Sequence, residues 1–184
     1  RGAVLGMAAW LAVSVGRGHP HHLAYFNEAV GGPSAGHRWF VDSNLDCGQD
    51  LREFARLHRE QGRPEVILSY FGGHAVEYLG IKAQHLRTHN YIQLRWRNSQ
   101  NPDKEWLVVS ATNLQGVYIP PETFAWLKER TPSFRVGHSL FIYDITSDAD
   151  AHERLAAAYS AVNDAPLAAR ENDRARRLRS PWRP

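Results

Sequence analysis

The residues best equipped for chemistry crowd into one short stretch: Asp42, Asn44, Asp46, Gln49 and Asp50. Asp42 and Asp46 are the nearest thing to an acid–base pair, because neighbouring carboxyls push their pKa values apart and divide the two roles. The same types also serve structure. Asp46 followed by Gln49 matches a capping-box start to a helix, and Asp42 suits a turn in which its carboxylate bonds loop amides. The structural reading is the better supported for the pair. The stretch as a whole is dense enough in polar groups to form a binding surface, and no catalytic residue is assigned.

Two further places contribute binding candidates: His74, after Gly72-Gly73, and Asn113, after Ser110 and Thr112. Gly72-Gly73 is a poor phosphate cradle without G-x-G-x-x-G or a Walker lysine. No G-x-S-x-G elbow surrounds Ser69, Ser110 or Ser139. His21 and His22 point apart in an extended chain, so with His19 they make an unpromising metal site, and neither metal nor cofactor is expected. Cys47 is the single cysteine, which excludes an internal disulfide and a Cys-based zinc site.

The elements that must position these groups follow from periodicity. His37 to Asp42 reads as a strand, and Asp46 to Gln61 as a helix with Leu51, Phe54, Ala55 and His58 at helical spacing. Val66 to Phe71 is a continuous apolar run that fits a strand buried on both faces. A short helix over His74 to Leu79, a half-exposed strand over Ile92 to Trp96 and a buried strand over Trp106 to Ala111 follow. Pro120-Pro121 opens a helix through Arg130. Ser139 to Ile145 is the last strand, and Ser147 caps a helix carrying Leu155, Ala158, Tyr159 and Val162. Such alternation predicts an α/β domain over 18–163: a mostly parallel sheet of about four to five strands with helices on both faces. Ligands collect at the strand C-terminal edge of such sheets. Asp42, Asn44, His74, Asn113 and Asp144 would share that rim.

The 184 residues are 43% hydrophobic and carry a formal net charge of +3. That is ample for one core and argues against disorder. Much of the basic excess lies in Arg170, Arg174, Arg176, Arg177, Arg179 and Arg183, so 164–184 reads as a flexible basic tail, with no nucleic-acid partner expected. At the other end, Ala3 to Val15 is uncharged. Its thirteen or so residues fall short of the roughly twenty that span a bilayer; by itself the run suits equally the remnant of a spanning helix over 1–17 or a buried helix.

One resemblance bears on that choice. His19-Pro-His-His-Leu-Ala-Tyr-Phe-Asn-Glu-Ala-Val-Gly-Gly-Pro33, then Asp42-Ser-Asn-Leu-Asp-Cys-Gly-Gln-Asp-Leu51, resembles the segment after the last membrane helix of certain bacterial glycosyltransferases. These are multi-pass enzymes similar to protein O-mannosyltransferases, with polyprenyl- or dolichyl-phosphate sugars as donors. Leu68 to Gly72, Val109 to Leu114 and Val136 to Asp144 fit the same tail, so the likeness covers about 19–145. It implies that Ala3 to Val15 ends the final span, and that the domain lies on the periplasmic or extracytoplasmic side of a bacterial cell membrane. The partners it implies are the parent's membrane helices, with an acceptor glycan or lipid-linked sugar at the surface. In that superfamily the catalytic carboxylate belongs to the first extracytoplasmic loop, which this chain does not contain, so no catalytic residue transfers. Cys47 departs from the pattern, which has Trp there, and an aromatic sugar platform is lost at that position. Two other readings stay open: a free-standing α/β hydrolase or transferase working through Asp42, Asp46 or His74, and a module binding carbohydrate or lipid head groups through Trp39, Tyr70, Trp96 and Trp106.

Overall fold

The structure is a computed structural model that describes residues 1–72, 76–86 and 96–180. It opens with helix α1 (Gly2–Arg17), passes through 3-10 turns and the four-residue α2 (Gly32–Ala35), and reaches α3 (Leu51–Glu60). Then come β1 (Glu65–Ser69), β2 (Ala83–His85), β3 (Glu105–Ser110), the short α4 (Ala111–Gln115), β4 (Phe134–Val136), β5 (Leu140–Asp144), α5 (Ala149–Ser160) and α6 (Ala165–Arg179). The expected α/β class and the helices on both faces are present.

The sheet has five strands in the order β2-β1-β3-β5-β4. β1 lies parallel to both β2 and β3, whereas β3–β5 and β5–β4 are antiparallel. The expectation of a mostly parallel sheet is therefore corrected to a mixed one. Alternation implies parallel strands only where a long crossover carries the chain back across the sheet. The segment after β3 is instead α4 followed by 3-10 turns at Pro121–Thr123 and Ala125–Glu129, and β4 and β5 then form a hairpin that docks antiparallel.

Side chains along each strand alternate between two cores, as the two-residue period demands. Ile67, Leu107, Val109, Phe141 and Tyr143 meet Leu155, Tyr159 and Leu167 of α5 and α6 on one face. Val66, Leu68, Val108 and Ile142 meet Leu51, Phe54 and Ala55 of α3 on the other.

Three local expectations are revised. His37 to Asp42 is no strand: it contains a 3-10 turn at Gly36–Arg38, and Trp39 and Phe40 stand exposed beyond it. α3 starts at Leu51 rather than Asp46. The basic segment read as a flexible tail is, over Ala165–Arg179, a helix packed along α5, with Arg170, Glu171 and Arg174 buried. Most of the Ile92 to Trp96 strand lies outside the described residues.

α1 stands apart from both cores. Val4, Leu5, Met7, Trp10, Leu11, Val13 and Val15 are 43% to 73% exposed, and Ser14 is its buried residue. The Ser14 hydroxyl lies 3.0 Å from the Tyr25 hydroxyl and donates to Glu28, tying the helix end to the body. Among the described residues no helix is long and apolar enough to cross a membrane, so the remnant of a span is not shown.

Candidate functional site

β1 connects to β2 on one side of it, and β2 connects to β3 on the other side. The C-terminal ends of β1 and β3 thus flank a topological switch point, where open α/β sheets take their ligands. Because β5 runs the opposite way, this edge also receives the start of β5 and the hairpin turn before it. Asp144 pairs with Trp106 at the far edge, which removes it from the expected rim; Ser139 takes its place.

The 42–50 loop folds onto this edge. Asp42 has φ of 63°, and its carbonyl accepts from the amides of Leu45 at 2.9 Å and Asp46 at 2.7 Å. Its amide donates to Thr112 Oγ1 at 2.9 Å, and its carboxylate accepts from the Ser43 amide and the Tyr118 hydroxyl. Tyr118 stacks flat on Phe71. Gln49 closes the loop, donating to the Leu45 carbonyl at 2.7 Å and accepting from the Cys47 amide at 2.9 Å. Asn44 lies in the 3-10 turn Asp42–Asn44.

Asp50 precedes α3 yet makes no side-chain cap on it. Its Oδ2 instead accepts from the Ser139 hydroxyl at 2.7 Å, the Ser139 amide at 3.1 Å and the His138 amide at 3.2 Å. A carboxylate bonded three times by the opposite hairpin is a strong fastener. Gly137, at φ of 52°, permits the approach, since a Cβ there would overlap the Asp50 carboxylate. His21 Nδ1 stands 3.6 Å from Asp50 Oδ1, with its ring edge-on to His138. A cavity of about 280 Å³, lined by His21, Gln49, Asp50 and Glu53 among others, opens beside this contact.

Asp46 is not the helix cap that its spacing suggests. It is 1% exposed beneath the loop, Oδ2 lies 3.5 Å from the Thr112 amide, and Oδ1 has no hydrogen-bond partner among the described residues. Burial pushes its carboxyl up to about 7, against the pull of Ser110 and Thr112 and with some help from the Asp50 charge. Each of those hydroxyls already accepts a backbone hydrogen bond, Ser110 Oγ from the Phe71 amide and Thr112 Oγ1 from the Asp42 amide. Their protons are left to face Asp46. The Tyr70 hydroxyl is likewise buried with no hydrogen-bond partner among the described residues, and burial with the Asp46, Cys47 and Asp50 charges raises it well above a normal phenol.

The expected binding residues Asp42, Asp46, Gln49, Asp50 and Asn113 therefore do converge. Asn113 is buried and donates to Ser69 Oγ at 2.9 Å, bridging the ends of β1 and β3. His74 lies outside the described residues. Tyr70, Ser139 and His21, which the sequence suggests only for other roles, join the cluster, as do His138 and Tyr118, which carry no sequence signal for this site. The Val136-Gly137-His138 turn was a usable signal for a close approach, but nothing local pairs Asp50 with a residue 89 positions later. Chemically, the cluster holds one poised but enclosed carboxyl and two carboxylates committed to backbone and hydroxyl groups. What meets solvent is a groove floored by His21, Gln49, Asp50 and Glu53. A scan against protein-family models, a search of curated proteins and a search of solved structures each found no match.

Proposed function

We propose that the chain is a non-catalytic, extracytoplasmic accessory domain of a membrane glycosyltransferase that moves a sugar from a polyprenyl-phosphate donor. The observation that supports this reading is α1. Seven large apolar side chains face outward all round a sixteen-residue helix whose foot is fastened at Ser14 to the body. A helix apolar on every side belongs in lipid or among other helices rather than in water. It runs directly into the His19 to Leu51 segment, which carries the family likeness and folds onto the switch point. With Asp42 and Asp50 spent on hydrogen bonds and Asp46 enclosed, the domain shapes an acceptor entrance or steadies the membrane helices; the chemistry belongs to the rest of the parent.

Flotation on phosphatidylcholine vesicles tests the membrane half of the proposal. The chain should float, and Leu5→Glu with Leu11→Glu should abolish flotation without changing the circular dichroism of the body. Flotation unchanged by the double variant would sink it. The transferase half is read in membranes expressing the full reading frame, by transfer of labelled sugar from a polyprenyl-phosphate donor. Absence of transfer above control membranes would count against it.

The near-neutral Asp46 favours a second reading, a free-standing α/β hydrolase or transferase. Turnover of an ester or glycoside by this chain, lost in a folded Asp46→Asn variant, would establish that reading instead.

A further inference from the structure

A second concavity lies away from the switch point. It encloses about 530 Å³ between the Gly36–Arg38 turn, the Ala125–Glu129 turn with the residues just after it, and strands β4 and β5. Arg38, Lys128, Arg130 and Arg135 line it, with Glu129 as an acid in its wall. Arg130 is matched: it pairs with Asp148 and Asp150, and Arg154 shares Asp150. Arg38, Lys128 and Arg135 have no carboxylate within ion-pair reach among the described residues. Allowing for Glu129, two positive charges face this space unbalanced.

Arg135 is fixed rather than loose. Its guanidinium lies 4.6 Å from the centre of the Phe141 ring and donates to the Ser34 carbonyl and to His37 Nδ1, each at 3.2 Å. Guanidinium has no acceptor atom, so His37 Nδ1 must accept and the ring is neutral. Burial, then the charges of Arg135 and Arg38, hold His37 down to about 4, in keeping with that assignment. All of these neighbours are neutral acceptors or a ring face, and none cancels the charge. A held, solvent-exposed guanidinium with a second arginine and a lysine across an open space is the arrangement that receives phosphoryl oxygens, the planar forks bidentately and the ammonium as a point charge.

We propose that the cavity walled by Arg38, Lys128 and Arg135 binds a phosphoryl group carrying about two negative charges. A phosphate monoester supplies that charge near neutral pH. The volume exceeds a bare phosphate and falls in the range of small-molecule sites, so the phosphoryl group is attached to a larger body. That body is either a lipid or a soluble molecule, and the site does not depend on α1 entering a membrane.

Two arms separate the sources. In the first, inorganic pyrophosphate is titrated into the chain and followed by calorimetry and by the His37 ring signals. In the second, flotation on phosphatidylcholine vesicles is compared with and without phosphatidic acid, so that any contribution of α1 is common to both. Arg38→Gln and Arg135→Gln should each weaken binding about tenfold, the worth of one charge-assisted hydrogen bond. Arg135→Lys should recover part of it, and exposed Arg176→Gln should change nothing. Bound anion should also move His37 upward from about 4. Dependence on both arginines in the first arm assigns a soluble phosphoryl ligand, and dependence confined to the second assigns a lipid phosphate. If folded Arg38→Gln and Arg135→Gln variants match the parent in both arms, the proposal is overturned.

Discussion

At the scale of single residues, Asp46 couples the 42–50 loop to pH. Its carboxyl is raised from an ordinary 3.8 to about 7, so the folded protein holds a proton that the unfolded chain has released. The sign follows: Asp46 favours folding most below about pH 4, and that contribution is lost as pH rises toward 7, then levels off. The full effect is on the order of 4 kcal/mol. Asp46→Asn keeps the shape and removes the ionisation. It is expected to be stabilising by about 1–2 kcal/mol at pH 5 and by about 4 kcal/mol at pH 8 in urea unfolding. An equal loss at both pH values would mean that the ionised form is the one the fold prefers. Gly137 offers a second test. Gly137→Ala incurs both positive-φ strain and a collision with Asp50, whereas Gly62→Ala, at φ of 84° with open space around it, incurs strain alone. The melting temperature should fall further for Gly137→Ala; equal losses would show that the Asp50 contact yields at little cost.

At the scale of elements, the hold of α6 on the sheet rests on a buried ionic knot. Arg170 donates to Glu105 at 2.7 Å, to Glu171 and to the Ser99 carbonyl, while Glu171 also accepts from His152 at 2.7 Å and Gln84 at 3.0 Å. The second His152 nitrogen donates to the Ile145 carbonyl at 3.1 Å. Removing one partner strands the others in a site that water does not reach, at a cost of about 3–5 kcal/mol. Arg170→Ala should lose that much in urea unfolding, and Arg176→Ala, in an exposed pair with Asp173, less than about 1 kcal/mol. Similar losses for the two variants would reduce the knot to surface electrostatics.

At the scale of the molecule, α1 and the body obey different solvents. In water, seven outward apolar side chains on one helix favour association between copies. Sedimentation should show self-association relieved by mild detergent and by Leu5→Glu with Leu11→Glu. A monomer in plain buffer would mean that α1 is covered by the chain itself.

Strands β1 and β3, the face of α3 and the start of α6 differ in how openly the sequence announces them, and the reason is range. Val66 to Phe71 and Trp106 to Ala111 are legible because a run of β-branched and aromatic side chains declares burial locally. Pro166 in the first turn of α6 was equally local, but the arginines around it looked solvated because their partners, Glu105 and Ser99, lie some seventy residues away. The α/β class, the two-faced core and the polar residues of the 42–50 loop could be read from the chain alone, since period and residue type are properties of neighbours. It took the folded arrangement to establish that β5 runs antiparallel, that Asp50 fastens the β4–β5 turn instead of capping α3, and that Asp46 is enclosed. Each depends on which distant segment supplies the hydrogen-bond partner, and a chain read one neighbourhood at a time holds no record of that choice.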